Sequence, residues 1–248
     1  MQGVAAIAIG VLIVGSLVVG LRLLVLHRRT GAAPELLLGG MLLLAVGIGY
    51  ALMIATPRVD PSWRGMLQMV SAFATCTGFS LLFAFTWRVF HPQEWWARLF
   101  AGAGMLTMLV AIVRRCIQVS TRGAIDITQE ASIDLALQGG TVVVAYSWTA
   151  WESLRYYGLM RRRVALGLAD PTVCNRFLLW GLMALTVNAG IAVNILAFAI
   201  HVDSLQTPWV LLLSSTTGLT QVVLLVLAFL PPRSYLSWVR ARASAGSA

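Results

Sequence analysis

Lysine is absent. All 18 cationic side chains are arginine, set against nine Asp and Glu, so the net charge of +9 is carried by one residue type. A cofactor held as a Schiff base on a side-chain amine is thereby excluded. Charge of either sign is scarce at 11% of residues, while 59% are hydrophobic and the mean hydropathy is +0.84. Such a composition excludes an ordinary water-soluble domain, because nearly every helical pattern in the chain is apolar all round. Histidine is limited to His27, His91 and His201, two at cytoplasmic helix ends and one outside, so no metal-binding His pair at helical spacing exists. Cysteine is limited to Cys76, Cys116 and Cys174, expected mid-membrane, at the outer end of a helix and in a cytoplasmic loop; with no shared depth, a structural disulfide is not expected. Proline occurs only at expected helix ends and in loops, which argues against the broken helices that build many transporter sites. No nucleophile elbow, P-loop or Ser/His/Asp spacing is present, so neither an enzyme nor a catalytic residue is expected.

What is present is a series of long apolar runs. A spanning helix needs about 20 mostly apolar residues. Seven windows meet that length or come close to it, at about 4–26, 36–56, 65–88, 99–116, 135–157, 177–200 and 208–230. The expected fold is an all-α integral membrane protein with one seven-helix domain over 1–232 and a short basic tail over 233–248. The first window lacks a basic leader and exceeds signal-peptide length, so it is expected to be retained.

Arginine sets the orientation. One side carries Arg28, Arg29, Arg88, Arg98, Arg155, Arg161, Arg162, Arg163, Arg176, Arg233, Arg240 and Arg242, and the other only Arg58, Arg64, Arg114, Arg115 and Arg122. The richer side is the cytoplasmic one, which puts the N-terminus outside. Trp63 and Trp209 at outer helix starts, and Trp87, Trp95, Trp96, Trp180 and Trp238 near inner ends, read as interfacial anchors. Clusters of arginine between apolar runs match membrane topology and not a nucleic-acid footprint. Arginine without lysine also points to a GC-rich bacterial genome, hence to a cell inner membrane. The arginine-rich face implies anionic lipid as a partner, with a protein partner at the cytoplasmic loops as a further option.

Helices one to three are echoed by helices five to seven. Leu21-Arg22, Leu26, Arg28 and Arg29 match Leu154-Arg155, Leu159, Arg161 and Arg162 at constant offset. Leu37-Leu38-x-Gly40 matches Leu178-Leu179-x-Gly181, and Phe90-x-Pro92 matches Phe229-x-Pro231. With helix four as linker this is a 3+1+3 arrangement of parallel repeats. In architecture the chain resembles microbial opsins and SWEET-type sugar transporters. The first resemblance implies a lysine-bound retinal, which the composition rules out. The second implies a Pro-Gln pair in each repeat, whereas Pro92-Gln93 stands alone at a helix boundary.

Polar residues inside a bilayer are costly and mark candidate sites. Asn188, Asn194, Thr217, Gln221 and Thr75 would line a small polar pocket if helices three, six and seven pack together. Asp126, Glu130 and Asp134 recur every four residues, and would form an outer acidic face on the same side of the membrane as Arg114 and Arg115, which end helix four. Glu152 and Arg155 are spaced for a local ion pair. No carboxylate occupies a helix centre, so a proton pump is not indicated, and no metal or other cofactor is expected. The functional expectation is a sensor or receptor-like protein that signals through a separate partner. A small-molecule transporter, with its pocket between the repeats, and an accessory subunit of a membrane complex are the alternatives.

Overall fold

The structure, a computed structural model, describes residues 2–124, 135–202 and 207–245. All regular structure among these residues is helical. Six of the helices are long and apolar enough to cross a membrane. We label the helices α1 (Gln2–Thr30), α2 (Ala33–Arg58), α3 (Pro61–Phe90), α4 (Trp95–Arg122), α5 (Gly140–Ala165), α6 (Pro171–Ala199), α7 (Pro208–Phe229) and α8 (Arg233–Ala245). Helix α5 is preceded by a π turn at Leu135–Gly139. It is the one expected span not among the six, since Glu152 and Arg155 interrupt a stretch already rich in Tyr, Trp, Ser and Thr.

Most helices overrun the expected windows. A hydropathy window stops at the first charges, whereas the backbone ladder continues through them. Thus α1 carries on through His27, Arg28 and Arg29, and α5 through Arg161, Arg162 and Arg163. The start of α6 is set by chemistry. Asp170 caps the helix, its Oδ1 accepting from Thr172 N at 2.8 Å, with Pro171 at the first helical position. The same device starts α3, where Asp60 Oδ1 accepts from Ser62 N at 2.9 Å and from Ser62 Oγ at 2.7 Å, followed by Pro61. Cys174 therefore lies within the first turns of α6, buried, and not in a loop as expected. All three cysteines are free thiols.

Two compact units are present, Ser16–Ala145 and Met1–Gly15 with Tyr146–Ala248. In the first, helices cross on small residues. Gly20 and Gly39 meet at the α1–α2 crossing, where a methyl on Gly39 would sit 3.0 Å from Gly20 O. Gly78 of α3 lies against Ala45, and Gly104 of α4 accepts the face of Phe83, which is fully buried. Close approach of this kind replaces the hydrophobic drive that is missing between helices in lipid. Helix α2 contains nine residues of π-helix, Leu42–Tyr50, without any proline. Ser71 Oγ of α3 donates to Gly49 O at 2.8 Å, at the end of the wide-turned segment. Thr75 packs beside it, and a methyl on Gly49 would collide with Thr75 Oγ1.

In the second unit α5, α6 and α7 form a sequential antiparallel set. Ser147 pairs with Asn188, Leu154 with Gly181, and Tyr157 O with the Cys174 thiol at 3.8 Å, so α5 and α6 stay in register along their length. Trp180 of α6, expected as an interfacial anchor, is buried and meets Phe229 of α7 edge-on at 5.7 Å. The tail is a helix, α8, fastened to α6 by Asn175 Nδ2 donating to Tyr235 Oη at 2.8 Å.

Candidate functional site

The polar residues of α6 divide between its two packed sides. Positions 188 and 190 are about 200° apart around an α-helix, so they face different neighbours. Asn188 faces α5, where its Nδ2 donates to Ser147 Oγ at 2.9 Å. Asn188 Oδ1 is buried and accepts no hydrogen bond among the described residues. Gly190 faces α7, where an added methyl would lie 3.1 Å from Thr217 Oγ1 and 3.8 Å from Gln221 Nε2. Asn194, one turn further on, turns back to donate from Nδ2 to Gly190 O at 2.8 Å. Thr217 Oγ1 donates to Ser214 O at 3.0 Å, while Ser214 Oγ is buried without a partner among the described residues.

Of the five expected pocket residues, Gly190 thus gathers three: Thr217, Gln221 and Asn194. Asn188 belongs to a separate polar contact on α5. Thr75 lies in the other unit, packed against Gly49. Ser147 and Gly190 were not singled out from sequence. The signal for Gly190 was available, since a glycine between two asparagines four or fewer residues away marks a close helix approach. Ser147 is one serine among several, and only its partner distinguishes it.

On α5, Thr149, Glu152 and Ser153 are all buried. Glu152 makes the expected local pair with Arg155, at 3.7 Å between Oε2 and Nη1, the carboxylate buried and the guanidinium exposed. Ser153 Oγ is buried and without a hydrogen-bond partner among the described residues, its Cβ lying against Gly181 of α6. Asp126, Glu130 and Asp134 fall outside the described residues. A wide, shallow depression of about 520 Å3 on α4 is lined by Leu109, Val110, Val113, Arg114, Ile117 and Gln118. It includes none of the expected pocket residues.

No family model, curated protein or solved structure matches this chain. The functional reading therefore stands on the residues themselves.

Proposed function

We propose that the chain is a seven-helix sensor of the bacterial cytoplasmic membrane, N-terminus outside and C-terminus inside, which takes a small ligand at the polar groups of α5–α7. The observation that carries this reading is the buried, unpartnered Asn188 Oδ1 within a membrane-spanning helix. In hydrocarbon no water is at hand to satisfy such an oxygen, and leaving it bare costs several kcal/mol. A ligand donor would recover that energy. Ser214 Oγ and Ser153 Oγ are in the same condition on α7 and α5.

Counting α5 as the seventh span is supported by its pairing with α6. At 26 residues it extends ~39 Å, enough to cross, and it follows a spanning helix in register from Ser147 to Tyr157. Its polar side chains Thr149, Glu152 and Ser153 are buried, which suits a span whose polar residues must face protein. Output toward a partner is supported by α6 itself, since one helix carries both Asn188 and the Asn175–Tyr235 anchor of the tail.

Native mass spectrometry of gently solubilised protein tests the reading. We expect a stoichiometric small-molecule adduct that is lost on Asn188→Leu. A clean mass, or one carrying lipid alone, would overturn the sensor and favour an accessory subunit.

A transporter reading is favoured by one further observation. Gly40 and Gly49 of α2 and Gly181 and Gly190 of α6 share a spacing of nine residues, and Gly49 and Gly190 each pack on a threonine of the next helix, Thr75 and Thr217. This supports a duplicated three-helix unit, as in carriers built from parallel repeats. Substrate-dependent flux in proteoliposomes would decide for the carrier; bound ligand without flux would decide for the sensor.

A further inference from the structure

We propose that the α3–α4 turn is a binding site for the phosphate of an anionic phospholipid, held by Arg88 and Arg98. Two guanidiniums share one indole there. Arg88 Cζ lies 5.1 Å from the centre of the Trp87 ring and Arg98 Cζ 5.5 Å from the same point. The two charges are therefore no further apart than the sum of those distances. Neither makes an ion pair with a carboxylate among the described residues, although Glu94 is one helical turn before Arg98. Both side chains are exposed.

Like charges that share one ring at the edge of an apolar slab repel, and no carboxylate among the described residues pairs with either. The shared ring fixes them instead. Cation–π stacking uses the flat face of a guanidinium and leaves its N–H edge free to donate, and phosphate oxygens match that edge in a bidentate fork. Two guanidiniums on one ring suit a phosphodiester, whose two free oxygens can accept from both. The rest of the turn builds a headgroup-level floor. His91 packs on Trp96 at 4.7 Å between ring centres, Trp95 is exposed beside it, and Phe83 and Phe100 meet edge-on one to two turns deeper. Aromatic rings at this level with an apolar layer beneath are what an acyl-chain lipid meets at the interface. Charge complementarity therefore selects an anionic over a zwitterionic headgroup, whose own ammonium would compete with the arginines for the phosphate.

The inference does not depend on the sensor reading or on which face is cytoplasmic. Wild-type protein is placed in nanodiscs of mixed phosphatidylglycerol and phosphatidylcholine, then released into neutral detergent, and the retained lipid is identified by native mass spectrometry. We expect selective retention of phosphatidylglycerol, reduced about tenfold or more in Arg88→Gln/Arg98→Gln. Arg28→Gln/Arg29→Gln removes the same charge from another exposed turn and is expected to retain the lipid. Equal losses in the two double variants would reduce the effect to net charge and overturn the site, as would no loss in either. Thermal stabilisation of the wild type by inorganic phosphate alone, absent from Arg88→Gln/Arg98→Gln, would overturn the lipid assignment in favour of a free anion. Trp87→Phe keeps a stacking face and is expected to keep selectivity; its loss in a folded variant would overturn the shared-ring geometry.

Discussion

Asn188 of α6 and Ser147 of α5 are joined by a 2.9 Å hydrogen bond that uses the amide nitrogen and leaves the amide oxygen buried without a partner. The two halves of one side chain thus have opposite effects on the apo protein. Ser147→Ala removes the satisfied half and should destabilise by about 0.6 kcal/mol, the mean for interhelical bonds in lipid. Asn188→Leu also removes the bare oxygen and should cost less than Ser147→Ala, or stabilise. Unfolding midpoints in mixed micelles check this, and the reverse ranking would remove the energetic case for a ligand.

The two glycine–threonine crossings differ in tightness. A methyl at Gly49 meets both Thr75 Oγ1 and, at 3.0 Å, Thr75 N, whereas at Gly190 the nearest atom is a hydroxyl at 3.1 Å. Gly49→Ala should cost about 1–3 kcal/mol, as overpacking does, and Gly190→Ala clearly less. Thr75→Ala in the Gly49→Ala background should restore part of the loss, because the backbone nitrogen remains. Denaturation of the three variants against the wild type measures the difference.

Asp170 carries a pH dependence. The hydrogen bond from Thr172 N, then that from the Thr172 side chain, holds its carboxyl below the ordinary value of 3.8, with Arg240 and Arg176 adding to the effect against slight desolvation. A lowered folded pKa means that the cap's contribution is complete above the unfolded value and fades as pH falls through the folded one. Asp170→Ala should cost about 1 kcal/mol at neutral pH. The gap between variant and wild type should close below the ordinary carboxyl value, as read from hydrogen exchange in the first turn of α6.

The tail helix hangs on Tyr235. Tyr235→Phe removes the acceptor for Asn175 Nδ2 and, at about 1 kcal/mol, should raise cleavage within α8 about fivefold under limited proteolysis. An unchanged rate would place the anchor elsewhere, for instance in the buried Val239.

Orientation is tested with single cysteines in a protein freed of Cys76, Cys116 and Cys174. Val59→Cys, before α3, should react with an impermeant thiol reagent in intact cells, and Gln93→Cys, after it, only in opened ones. Reversal of that pattern would invert the topology.

The all-helical class and the rough position of the six long apolar helices were legible because apolar length is a one-dimensional signal. The ends were not, where capping chemistry lies outside the apolar run. Asp170 starts α6 several residues before the hydropathy rises, and this moved Cys174 from a loop into a helix. The α3 cap, Asp60-Pro61-Ser62, has the same form and was equally readable. The pocket was harder. A list of polar residues per helix does not say which neighbour each one faces, so Asn188 and Gln221 seemed to belong together until the sides of α6 were told apart. The π segment of α2 was invisible to a reading that looked to proline for irregularity, since Gly47 and Gly49 occur in many regular membrane helices.

That π segment gives the chain slack. In a regular helix, deleting one residue turns everything beyond it by about 100° and removes the following face from its neighbour. Within Leu42–Tyr50 the backbone already takes more residues per turn than it needs, because its bonds run from i to i+5. Losing one residue there lets the stretch tighten to an α-helix while Leu38 and Met41 before it, and Thr56 after it, stay buried. Helix α2 is thus a span whose length can drift by a residue over evolutionary time without re-aiming the rest of the helix.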